Sequence, residues 1–279
     1  MRLLVAIDHR QGGLDALELA RVLGSGEDSS ALVVTVLYTG PYPMEFALLP
    51  EEEAEEAEPL FDRARAELEG FKVETRAFGG GSPAGIIDNI LNRESFDAVV
   101  VGSPHRGPVG RVLIGSVAAS LLSGSPTAVA VAPVDYAKQE HEGLQTVAVG
   151  FDGTPESRLA LQRAEDIAQR SAARLEVLTV VKPPAAMPAM VPAYRPQVPA
   201  HPEEVIDEAV GAVDADLAVE GVRLDGDPAS ELIDRCTVGV DLLVLGSRGY
   251  GPLTRVLLGS VSRQVAEHAP CPVMVVPRQ

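Results

Sequence analysis

Apolar positions along the chain fall into two kinds of run. Residues 3–7 (LLVAI) and 146–151 (TVAVGF) are apolar without alternation, the pattern of strands buried on both faces. Similar runs follow at 32–37 and 175–181, at 98–101 and 242–245, and at 128–132 and 273–276. Between them the apolar period lengthens to that of a helix. After Asp152, for instance, Leu159, Ala160, Ala164, Ile167 and Ala168 share one side of a helix predicted over 155–173, with Thr154 or Gly153 placed to cap its start. Alternating strands and helices predict α/β architecture: in each half a doubly wound, Rossmann-like, mostly parallel five-stranded sheet flanked by helices. Crossovers should be right-handed, and ligands should sit beyond the carboxyl ends of the strands.

The two halves repeat each other. Residues 102–117 (GSPHRGPVGRVLIGSV) align without a gap on 246–261 (GSRGYGPLTRVLLGSV), with ten identities in sixteen positions, where about one is expected by chance. The same offset of 144 pairs Asp8 with Asp152, Val36 with Val180, Asp97 with Asp241 and Pro126 with Pro270. Register drifts only across roughly 40–92 and 184–236. We therefore expect a first domain over 1–135, a polar linker over 136–145 with the boundary near 140, and a second domain over 146–279.

The strongest chemical signal lies after the predicted strand at 242–245. Gly246, Gly249, Gly259 and Ser260 form G-x2-G-x9-G-S, and glycines there let main-chain amides approach a phosphate while Ser260 adds a hydroxyl. A helix starting at Ser260 and Val261 would add its dipole. The first half keeps Gly102, Gly115, Ser116 and Val117 but places Pro104 opposite Arg248 and His105 where the second glycine belongs. A histidine takes positive φ less readily than glycine. Binding is expected in both halves, with the intact motif in the second and an altered one in the first.

This motif in this setting resembles the ATP-binding signature of the universal stress protein family. The stretch from Val149 to Ser157 (VGFDGTPES) is similar to that family's V-x-x-D-G-S-x-x-S start, and Pro270-Cys271-Pro272-Val273 to its C-terminal strand. The resemblance covers nearly the whole chain, twice, and implies a tandem pair of adenine nucleotide alpha hydrolase-like domains. It implies that Asp152 and Asp8 lie near the nucleoside and an accompanying Mg²⁺, that Val180 and Val36 touch adenine, and that Gly246, Gly249, Gly259, Ser260 and Val261, with Gly102, Gly115, Ser116 and Val117, line the ribose and phosphates. It further implies that the halves pair through residues 128–132 and 273–276 as an intramolecular pseudo-dimer, with a homodimer as a further level of assembly.

Composition and charge narrow the partners. Hydrophobic residues make up 46% and aromatics 4%, with no Trp, so the core must be aliphatic. A net charge of −17 disfavours nucleic acid and anionic membranes yet leaves room for a small anion gripped by backbone dipoles. Cys236 and Cys271 stand alone without a metal-ligand pattern. No apolar stretch reaches membrane-spanning length, so a cytoplasmic protein is expected. His9 reads as an exposed loop residue, and His141, His201 and His268 have no ligand spacing. The acidic run 51–58 reads as a solvated helix start. The Pro-rich 182–202 segment reads as a loop at the ligand edge, serving as a lid, a partner-binding loop or plain surface.

These observations predict a regulatory ATP-binding protein of the stress response, with slow ATP hydrolysis at most, since no catalytic constellation stands out. Two alternatives differ in class. One is a nucleotide-free interaction module of the same fold. The other is an adenylating or flavin-binding relative, suggested by residues 11–16 (QGGLDA), which resemble the S-G-G-x-D-S loop of ATP pyrophosphatases without its serines.

Overall fold

The computed structural model describes residues 1–25, 28–37, 47–49, 54–104, 109–182, 202–247 and 259–278. The first half runs β1 (Arg2–Ala6), α1 (Gln11–Leu23), β2 (Ser30–Leu37), β3 (Ala47–Leu48), α2 (Glu58–Glu67), β4 (Lys72–Gly79), α3 (Pro83–Leu91), β5 (Ala98–Gly102), α4 (Ser116–Leu122) and β6 (Ala128–Ala132). The second runs β7 (Thr146–Gly150), α5 (Pro155–Ser171), β8 (Arg174–Val181), α6 (Pro202–Ala212), β9 (Val219–Asp225), α7 (Pro228–Cys236), β10 (Leu242–Gly246), α8 (Ser260–His268) and β11 (Val273–Val276).

Strand order is β3-β4-β2-β1-β5-β6-β11-β10-β7-β8-β9 in one sheet. Within each half five strands run parallel. The halves join where β6 and β11 pair antiparallel, with Val131 opposite Val273 and Val129 opposite Val275. An edge that would otherwise expose unpaired amides is thereby closed within the chain. Among the described residues, further contacts also tie the halves: the Val112 amide donates to the Ala269 carbonyl at 2.7 Å, and Arg163 of α5 lies 3.5 Å from Asp97.

The central strands are buried on both faces, as their unbroken apolar runs require. One face carries α1, α2, α5 and α6 over Leu3, Val5, Val147 and Val149. The other carries α3, α4, α7 and α8 over Leu4, Val34, Leu243 and Leu245. The fifth strands, β4 and β9, have no apolar run in the sequence. The exposed and half-buried residues of β9 intermingle along a strand at the sheet's border, so period-2 polarity replaces the apolar signature there.

The segment after β6 is more than a polar tether. Residues 136–138 form a 3-10 turn against α1. The Asp15 carboxylate, buried on α1, accepts the amides of Asp135 and Ala137 at 3.0 Å each. Tyr136 stacks on His141 at 3.8 Å, and Arg21 donates to the His141 carbonyl at 2.9 Å. Burial pushes the Asp15 carboxyl above its ordinary value while the amide bonds pull it back. Of the acidic run, Glu55–Ala57 is a 3-10 turn and α2 begins at Glu58. Residues 51–53 and 183–201 lie outside the described residues, as does the lid or partner-loop reading placed on the latter.

Candidate functional site

Beyond the carboxyl ends of β1, β2 and β5 lies a cleft of about 230 Å³. All six first-half positions named from the sequence line it: Asp8, Val36, Gly102, Gly115, Ser116 and Val117. Asp8 is exposed in the β1–α1 turn, where its Oδ1 accepts the Arg10 amide at 3.0 Å. Val36, Ile87 and Val117 supply the apolar wall. Arg10, Gly12 and Gly13, at the start of α1, complete the side that faces Asp8.

The glycines around this cleft are bare for different reasons. A Cβ on Gly102 would lie 1.9 Å from the Gly12 carbonyl oxygen, one on Gly12 would lie 2.6 Å from the Ser103 carbonyl oxygen, and one on Gly13 would lie 2.5 Å from that of Asp8. These three let α1 start directly on the strand ends. Packing therefore accounts for the glycines of residues 11–16, the pair on which the adenylating-enzyme resemblance rested. Gly246 repeats the arrangement, with a Cβ 2.6 Å from the Glu156 carbonyl oxygen.

Gly115 differs. Its backbone is extended, with φ −78° and ψ 173°, open to any residue. A Cβ there would meet Pro104 only at an ordinary 3.4 Å. Nothing among the described residues demands a glycine, and the space left bare belongs to the cleft.

In the second half Asp152 follows β7, Val180 lies near the end of β8, and Gly246 ends β10, three parallel strands whose carboxyl ends share one edge. Gly259 caps α8, with Ser260 and Val261 as its first residues. Asp152 Oδ1 accepts both the amide and the hydroxyl of Thr154, at 3.1 and 2.6 Å. Thr154 caps α5 by accepting the Ser157 amide at 3.3 Å, so of the two residues predicted to cap, Thr154 does so. Val180 is half-buried against the core beside its strand partner Leu224. Gly249, Arg248 and His105 lie outside the described residues.

Some residues that build these edges were not named from the sequence. Ser103 is buried beneath the first cleft, donating to the Ala132 carbonyl at 2.7 Å and accepting the Leu113 amide at 2.8 Å. Ser262 donates to the Gly246 carbonyl at 3.0 Å and ties α8 to β10. Arg10 could have been found, because the offset of 144 places it opposite Thr154.

The donor sets also bear on a divalent cation. Mg²⁺ in nucleotide sites is held by one or two carboxylates together with the phosphates. At the start of α5 the Asp152 carboxylate, 2.6 Å from the Thr154 hydroxyl, offers one such ligand. In the first cleft the carboxylate of Asp8 has a guanidinium two residues on, and the fit is poor.

Comparison with known proteins places this arrangement. The model of the universal stress protein family matches residues 1–133 and again 143–277. A universal stress protein of Mycolicibacterium smegmatis is 32% identical over 252 residues, covering 88% of this chain and 84% of the relative. One from Mycobacterium tuberculosis is 29% identical, covering 70% of this chain and 68% of the relative. Among solved structures, a universal stress protein from Archaeoglobus fulgidus is similar in fold, with a TM-score of 0.69 at 21% identity, covering 99% of this chain and 96% of that one.

Proposed function

The chain belongs to the universal stress protein family, and we propose that it is an ATP-binding regulatory member, acting in the cytoplasm, whose nucleotide occupancy governs partner interaction under stress. One observation carries the reading: six residues far apart in sequence line a single cleft in the first half, and one of them, Gly115, meets no close neighbour among the described residues that would require a glycine. Adenine would lie on Val36, ribose hydroxyls would bond to Asp8, and phosphates would approach the backbone at Gly115 and Ser116. The second half would hold a nucleotide likewise through Asp152, Val180, Gly246, Gly249, Gly259, Ser260 and Val261, with Mg²⁺ as companion ion.

The same geometry argues against rapid turnover. Neither cleft edge pairs a nucleophile with a base among the described residues, so hydrolysis would be slow. Mass spectrometry of small molecules released on denaturing freshly purified protein tests the reading. An adenine nucleotide at one or two equivalents per chain is expected. A ligand-free chain that also fails to bind added ATP in calorimetry would favour a nucleotide-free interaction module instead.

A further inference from the structure

The two helix starts that face the nucleotide positions differ in a way that the family signature does not require. In the second half Thr154 caps α5. In the first, the same place is held by Arg10, whose extended backbone (φ −96°, ψ 168°) occupies the N-cap of α1 without any side-chain cap. A guanidinium has no acceptor with which to cap, and its positive charge opposes the helix dipole. Arg10 is thus a locally unfavourable choice on an exposed turn, the kind of conflict expected where a ligand resolves it.

The surroundings say which ligand. Asp8 and Arg10 are the two ionisable side chains among the described residues of the cleft. Most described arginines of this acidic chain are paired with carboxylates, as Arg21 is with Glu18 and Arg235 with Glu176, but no such ion pair forms at Arg10 among the described residues. It lines a cleft whose bare backbone at Gly115 leaves room for a group to approach. An anion there would satisfy the guanidinium and the helix start together. A divalent cation bound to the same phosphates would be repelled by the guanidinium and would compete with it for their oxygens.

We propose that Arg10 is the phosphate-recognising residue of the first cleft and stands in for a metal ion there, so that this half binds a nucleotide without Mg²⁺. The inference rests on the nucleotide reading above and adds what that reading leaves open, namely which group neutralises the phosphates. Recognition should extend to ADP and ATP and should be weaker, though still measurable, for adenosine, which carries nothing for Arg10 to hold.

Calorimetric titration of the full chain with ATP and with adenosine, in EDTA and in Mg²⁺, separates the two readings. The heat removed by Gly115→Leu identifies the first site, with Val36→Phe as a second marker should the leucine variant fold poorly. The expected result is a first-site ATP signal of equal strength in EDTA and Mg²⁺. Arg10→Thr should weaken it by about 10- to 100-fold, Arg10→Lys should weaken it less, and adenosine binding should stay unchanged in both. First-site ATP binding in EDTA that survives Arg10→Thr within twofold, or that appears only with Mg²⁺, would overturn the role of Arg10 while leaving nucleotide binding intact. Absence of any Gly115-sensitive signal for either ligand would overturn both.

Discussion

The halves of this chain solve one structural problem in two ways. Glu176 on β8 is 1% exposed and pairs with Arg235 of α7 at 2.6 Å, with Arg174 3.4 Å away. At the matching places in the first half stand Leu32 on β2 and Ile90 on α3, both buried in the apolar layer that includes β1 and β5. Strand register and helix placement are the same, so the backbone does not choose between them. What the fold requires at this point is filled volume and no unanswered charge. A buried ion pair meets that need only while both partners remain, because its attraction is largely offset by desolvation.

That contrast predicts the largest effect. Arg235→Ile or Glu176→Leu alone should lower unfolding free energy by about 3–5 kcal/mol, since each strands a buried charge or its partner. The double variant, which copies Leu32 and Ile90, should return to within about 1 kcal/mol of the parent or exceed it. Urea melts of the four chains measure this. If the two single losses simply added in the double variant, the halves would not be interchangeable here.

The next effect separates glycines that look alike in sequence. Gly102→Ala should cost about 1–3 kcal/mol by overpacking against the Gly12 carbonyl. Gly115→Leu should cost under about 0.5 kcal/mol, the scale of a surface change, yet abolish first-half nucleotide binding. Thermal melts paired with titration decide between them. A heavily destabilised Gly115→Leu would move that glycine into the packing class.

Smaller still is the difference between the helix starts. Thr154→Ala removes the cap of α5 and should cost about 1 kcal/mol. Arg10→Ser would supply α1 with the cap it lacks and should stabilise the ligand-free chain by up to about the same amount. Stability and binding would then move in opposite directions at Arg10 and together at Thr154, as chemical denaturation with and without ATP would show.

Much of this was legible in the residues. The offset of 144 marked strand ends, the paired aspartates and the second glycine–serine of each motif, because positions that end a buried parallel strand or start a helix tolerate few residue types. Other features left no trace. β4 and β9 escaped notice because strands at or next to the border of the sheet do not need an apolar run. Asp15, which the sequence offered only as part of the 11–16 loop resemblance, holds the chain at Asp135 and Ala137 through its carboxylate. Gly102 and Gly115 belong to one motif, and only three-dimensional contact tells packing from access. Arg10 was visible opposite Thr154 but acquired meaning only with a cleft beside it.

The opposite, amino edge of the sheet offers the mildest test of how far the halves have diverged. In the first half Glu94 accepts from Arg2 at 2.7 Å and from Arg76 at 2.5 Å, joining β1 and β4. The offset of 144 puts Thr146 and Val238 opposite Arg2 and Glu94, strand register puts Val222 opposite Arg76, and Val238 is 66% exposed. The Arg76 guanidinium, with help from Arg2, holds the Glu94 carboxyl below its ordinary value of 4.5. A lowered acid pKa means the unfolded chain binds the proton more tightly, so the network's contribution is present above pH 4.5 and fades as pH falls through the lowered value. Because the three side chains are partly exposed, that contribution should be about 1 kcal/mol or less. The difference in unfolding free energy between the parent and Glu94→Gln should therefore be full at pH 7, shrink below pH 4.5 and diminish in high salt. Val238→Glu, which lacks matching arginines in the second half, should show no such pH-dependent gain. Equal pH profiles for the two sites would mean that this edge contributes nothing specific to the first half.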